Sequence, residues 1–196
     1  MVKKNVRKIA ASAIFGALGF ILMLLEFPIS FIIPPFIKMD FSEIPAIIMS
    51  FAFGPAWGVL VCLIKNLLHL FVTTSAGVGE LSNFILGAIF VYTAGFCYKK
   101  NKTRKGALIG ALLGALTMAV ISIFTNYFFV YPAFSVIYGL PMPAILGMYK
   151  AILLSTKNLF HALVVFNLPF NFVKGILDAA FCFLVYKKIS PILKNQ

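Results

Sequence analysis

From Ile9 to Val185 the chain is a succession of long apolar runs, broken by prolines, glycines and clusters of basic residues. Water cannot wet such a surface: 62% of the 196 residues are hydrophobic and 11% are charged, with a mean hydropathy of +1.02. Runs of this length and composition cross membranes. The expected fold is all-α, with six transmembrane helices over 9–25, 42–53, 56–72, 81–98, 106–130 and 169–187, forming a single integral membrane domain over residues 1–196. The second run is short. At 1.5 Å per residue it covers roughly 18 Å, against a hydrocarbon core of about 30 Å. Ser42 is placed to cap it, with Glu43 and Pro45 in its first turn.

The net charge of +12 is topogenic rather than a nucleic-acid footprint. Twelve of the seventeen Lys and Arg fall in three places: Lys3, Lys4, Arg7 and Lys8; Lys99, Lys100, Lys102, Arg104 and Lys105; Lys187, Lys188 and Lys194. Basic residues at the ends of apolar runs mark the cytoplasmic side, so both termini are expected inside. Cys62, Cys97 and Cys182 are scattered through apolar runs and read as packing residues. Glycines and alanines spaced through 106–119 form a ridge for close helix packing. Residues 132–158 read as a long outer connection, with a short helix over 144–155.

Asn167, Asn171, Lys174 and Asp178 lie at i, i+4, i+7 and i+11, on one face of the last helix. A charge near mid-membrane costs roughly 2.5–3.5 kcal/mol even on the lenient insertion scale, so this stripe should face a cavity or a partner. On the expected topology Lys38, Asp40 and Glu43, Glu80 and Asn83, Asn126, and Asn167, Asn171 and Lys174 share one depth near the external side. Two readings stand. Asp40, Glu43 and Glu80 cap helices, Lys174 pairs with Asp178 or Glu80, and the asparagines join helices; or the set lines a pocket open to the outside. Lys65 and His69 share a face and read as structural partners of interior polar groups. Convergence at one depth favours the pocket, with Lys174 and Asp178 paired below it.

Amide groups with paired donors and acceptors suit a neutral heteroaromatic with an imide-like edge and a polyhydroxyl tail, and aromatic side chains would cover its faces. Catalytic signatures are missing from the sequence: it has no HExxH, no GxSxG, no metal-type Cys/His spacing and no GxxxxGK[ST]. No catalytic residue, metal or cofactor is expected, and a pump built on this chain would borrow its motor.

The whole chain resembles the substrate-binding S components of energy-coupling factor (ECF) vitamin transporters, the riboflavin-specific ones above all. The resemblance rests on Phe36-Ile-Lys-Met-Asp40-Phe-Ser-Glu-Ile-Pro45-Ala, Phe53-Gly-Pro-Ala-Trp-Gly58, Leu63-Ile-Lys65-Asn-Leu-Leu-His69, Gly79-Glu-Leu-Ser-Asn83-Phe, Asn126-Tyr-Phe and Phe170-Asn-Phe-Val-Lys-Gly175. It implies a substrate-binding domain in a prokaryotic plasma membrane that captures riboflavin outside. Uptake would be driven by a transmembrane T component and two ABC-type ATPases. It implies flavin contacts at Glu80, Asn126, Asn171 and Lys174, with Met39 and Asp40 close by and Asn83 and Asn167 in the same set. Ala13 and Ala17, with Gly16 beside them, resemble the small-residue motif that docks the T component. The alternatives are an S component for thiamin, folate or pantothenate, or an ion-coupled secondary transporter. The latter usually carries inverted repeats, which this sequence lacks.

Overall fold

The structure, a computed structural model, describes residues 2–194 and the side chains of residues 5–186. The side chains of Lys3, Lys4, Lys187, Lys188 and Lys194 lie outside the described residues. Helix α1 (Val2–Leu24) leads into a loop that carries a two-stranded antiparallel ribbon, β1 (Phe27–Pro28) and β2 (Lys38–Met39). Then come α2 (Glu43–Phe53), α3 (Pro55–His69), a 3₁₀ turn over Leu70–Val72, α4 (Val78–Lys100) and α5 (Arg104–Thr125). A π-helical turn, Asn126–Val130, joins α5 to α6 (Tyr131–Tyr138). After α7 (Met142–Ile152), α8 (Leu159–Ala162) runs through a second π turn, Leu163–Asn167, into α9 (Leu168–Lys194).

Five of these runs are long and apolar enough to cross a membrane: 5–24, 55–72, 78–100, 104–138 and 159–186. With 11 residues, α2 is too short to cross alone. Glycine lets the helices approach backbone to backbone. A Cβ on Gly110 or Gly114 of α5 would come within 2.6 Å of the Ala94 carbonyl or 2.7 Å of the Phe90 carbonyl of α4. The expected small-residue ridge is therefore the α4–α5 seam. On α9, Gly175 meets Ala115 of α5 in the same way. Cys62 and Cys182 are buried packing residues, Cys97 is half-buried, and all three are free thiols.

Two boundaries differ from the sequence reading, and both follow from proline. The fifth run does not stop at residue 130, because helix continues to Tyr138; the last begins at Leu159, not near Pro169. Pro132 and Pro169 lack the N–H that an α-helix needs and their rings crowd the preceding turn. Each sits two residues beyond a π turn, which widens the helix enough to admit the ring. The connection shrinks to 139–158, and the short helix expected there is α7. Ser42 also departs from expectation. It stands at the N-cap position but its side chain caps nothing; instead its N–H and hydroxyl both donate to Asp40.

Candidate ligand-binding site

The buried apolar side chains form two clusters. One includes Ala46, Val61, Phe90, Ala94, Ala115 and Cys182 between α2, α3, α4, α5 and α9. The other gathers Ile33 and Met39 of the first loop with Tyr131, Tyr149, Phe166 and Phe170. Between them lies a cavity of about 150 Å³, with Leu86 and Met118 on one side and Val130, Tyr131 and Phe170 on the other.

Seven of the eight expected binding residues line it: Asp40, Glu80, Asn83, Asn126, Asn167, Asn171 and Lys174. Met39 is set apart. Its side chain is buried in the second cluster and holds the loop down rather than facing the cavity. The two π turns carry two of the seven, Asn126 and Asn167, consistent with the frequency of such turns at functional sites.

Each polar group is held by specific partners. Lys174 Nζ donates to Asp40 Oδ2 at 2.6 Å, tying the first loop to α9 across 134 residues of sequence. Burial alone would push the Asp40 carboxyl up. The charges of Lys174 and Lys65, with hydrogen bonds from Lys174 and Ser42, outweigh burial and hold it well below the usual carboxylate range. Asn171 Nδ2 donates to the Asn167 carbonyl at 2.9 Å, a bond that leaves its own side-chain oxygen without a partner among the described residues. Asn167 is spent internally: it accepts from Tyr149 Oη at 2.6 Å and donates to Tyr131 Oη at 3.1 Å, while the two tyrosines bond each other. That triangle fastens α7 to the wall.

On the opposite wall, Glu80 is clamped by two groups. His69 Nδ1 lies 2.8 Å from Oε1, and Ser75 Oγ donates to Oε2 at 2.6 Å. Beneath, Lys65 has no exposed side-chain surface. It donates to Glu43 Oε1 at 2.7 Å, to Asn83 Oδ1 at 2.8 Å and to the Ser42 hydroxyl. The Glu43 carboxylate sits against Gly87, where an added Cβ would come within 2.5 Å of it. The sequence reading of Lys65 and His69 as structural partners holds, but His69 and Glu43 also line the cavity. Phe36, Tyr131, Phe134 and Phe170 supply aromatic walls that were expected as a class but not by position.

One expectation is met only in part: Asp178 lies close enough for its charge to act on Lys174, but it makes no direct contact. Asp178 is not the hydrogen-bonded partner of Lys174, which Asp40 occupies. Both Asp178 oxygens are buried without a hydrogen-bond partner among the described residues. The reason is reach: the ribbon strand β2 ends at Met39 and delivers Asp40 directly over α9, a contact that helical spacing cannot reveal. A buried carboxylate without a hydrogen bond is costly, so Asp178→Asn is expected to leave thermal stability unchanged or raised. A clear fall in Tm would mean that Asp178 carries the pairing after all.

The expected docking residues separate. Gly16 is buried, and a Cβ there would fall within 2.4 Å of Ile64 of α3, whereas Ala13 and Ala17 are exposed. Gly16 thus belongs to internal packing, and the two alanines to an open face of α1. No group of three or more metal-ligating side chains gathers among the described residues.

Residues 7–186 match the model of the family described as ECF transporter, substrate-specific component. The riboflavin transporter FmnP of Bacillus subtilis is 35% identical, the alignment covering 98% of this chain and 96% of that one. The riboflavin transporter RibU of Staphylococcus aureus is 32% identical, covering 99% and 95%. A solved S component of a bacterial ECF transporter superposes with a TM-score of 0.75 at 29% identity, over 97% of this chain and 99% of that one. With a family match over nearly its whole length and relatives above 30% identity from end to end, the chain belongs to the substrate-specific components of ECF transporters.

Proposed function

We propose that the chain captures riboflavin in the cavity between α4, α5, α9 and the first loop, as the S component of an ATP-driven ECF transporter. The supporting observation is the convergence, in one cavity, of amides, a lysine–carboxylate pair and aromatic walls. Relatives at 32% and 35% identity are riboflavin transporters. Asn126 and Asn171 offer the donor and acceptor groups that match the imide edge of the flavin ring. Asp40, Lys174 and Glu80 suit the hydroxyls of its ribityl tail, and Phe36, Tyr131, Phe134 and Phe170 suit its faces. Asn83 and Asn167 hold neighbouring walls, and Met39 acts through the loop.

In this reading the topology has six membrane segments, α2 being the short one. Both termini are cytoplasmic, the membrane is the bacterial plasma membrane, and residues 1–196 form one substrate-binding domain. The chain has no enzymatic activity and no resident cofactor; a T component and two ABC-type ATPases supply the drive. A thermal-shift panel tests the ligand. Riboflavin is expected to raise Tm, and thiamin, folate and pantothenate are not; a larger shift with any of these three overturns the assignment.

The exposed Ala13 and Ala17 would let a partner helix approach α1 closely. Leucine at both positions is expected to leave riboflavin affinity unchanged while abolishing coassembly with the T component in a pull-down. Intact coassembly would remove the docking role.

A further inference from the structure

A second cavity, of about 370 Å³, lies at the other end of the bundle. Its walls are the α2–α3 junction and the end of α4 with the link that follows. Gly54, at φ +109°, turns the chain there so that α3 restarts at Pro55 without a side-chain cap. Trp57 and Tyr98 line the cavity together with Lys99 and Lys102.

Charge decides what such a cavity takes. The chain has only five acidic residues, Glu26, Asp40, Glu43, Glu80 and Asp178, and none of them lines it. Lys99 and Lys102 are exposed and have no acidic partner among the described residues. Lys8 of α1 adds to the same sign, with its Nζ 5.6 Å from the Trp57 ring centroid. The uncapped start of α3 is positive as well.

Position decides the source of the anion. The cavity spans the start of one apolar run, 55–72, and the end of another, 78–100, so it sits where hydrocarbon gives way to headgroups. Trp57 and Tyr98 are the amphipathic aromatics of that layer, and Phe51 and Phe53 supply apolar lining beside them. We infer that this cavity binds the phosphate headgroup of an anionic phospholipid, between Lys99 and Lys102 with Trp57 and Tyr98 beneath. The site is separate from the riboflavin site and holds the α2–α3 junction against the end of α4.

Native mass spectrometry and thermal shift on the full chain in neutral detergent test it, with phosphatidylglycerol, phosphatidylcholine and inorganic phosphate as probes. Phosphatidylglycerol is expected to be retained at one per chain and to raise Tm, while phosphatidylcholine and inorganic phosphate do neither. Lys99→Gln and Lys102→Gln should each weaken retention about fivefold. Both positions are exposed, so the variants should fold. Lys157→Gln, an exposed lysine away from the cavity, should change nothing. Equal retention of phosphatidylcholine, the same Tm rise with phosphate alone, or undiminished retention by the double variant would each overturn the proposal.

Discussion

Lys65→Met is expected to destabilise the chain by about 3–5 kcal/mol, the usual cost of breaking a buried ion pair by removing one partner. The reason lies in what remains. Glu43 would keep a carboxylate with no exposed surface to speak of, pressed against Gly87 and bonded, among the described residues, only to the Cys62 thiol, whose Sγ lies 3.4 Å away. Asn83 and Ser42 would each lose the donor they now accept from. The companion Glu43→Gln should recover much of the loss in the double variant, because the uncompensated charge then disappears. Thermal unfolding of the four species in detergent gives the cycle. A Lys65→Met protein as stable as the parent would show that the polar floor beneath the site is not what holds α2, α3 and α4 together.

Lys174→Met is expected to lower riboflavin affinity by about 100-fold or more, in the range found when one member of a buried hydrogen-bonded charge pair is truncated. Two losses add. A charged group leaves the cavity wall, and Asp40 is released, so the first loop is no longer fastened to α9. Asp40→Asn separates them, since it keeps a polar group in the loop and leaves Lys174 in place; its effect should be smaller. The pair also fixes a pH signature. A carboxyl held below its ordinary value contributes in full above that value, about 3.9, and its contribution fades only as pH falls through the depressed one. Between pH 5 and 8 the Asp40–Lys174 link should therefore add no pH dependence to binding, as a titration of Asp40→Asn beside the parent would show.

How much of this was legible in the sequence depends on whether the signal was local. Apolar run length marked the five helices that are long and apolar enough to cross a membrane. Helical spacing put Asn167, Asn171 and Lys174 on one face, and the cavity contains all three. The hydrogen-bonded partner of Lys174 was not legible, because it comes from a loop 134 residues away, while the same-helix carboxylate at i+4 contributes its charge without a hydrogen bond. The π turns were half legible. Pro132 and Pro169 were visible, but a proline in an apolar run reads equally as a helix start or as an accommodated interior residue. Only packing of the turns before them decides. The tyrosine–asparagine triangle left no trace, since Tyr131, Tyr149 and Asn167 lie on three separate elements, α6, α7 and the second π turn, and only packing brings them together.

The polar groups of the site do two jobs that the sequence could not separate. Asn167 has its side chain engaged by the two tyrosines and shapes the wall. Asn171 has a side-chain oxygen with no partner among the described residues, and Asn126 lines the cavity from a π turn. Substitutions should divide along the same line: Asn167→Ala is expected to cost stability first, Asn171→Ala affinity first.

Equilibrium titration of riboflavin fluorescence with the purified chain tests the central claim most directly. The expected result is saturable one-to-one quenching at submicromolar protein, strongly weakened in Asn171→Ala and Lys174→Met and unchanged in Lys102→Gln. No quenching at micromolar protein, or equal quenching by all four proteins, would contradict it.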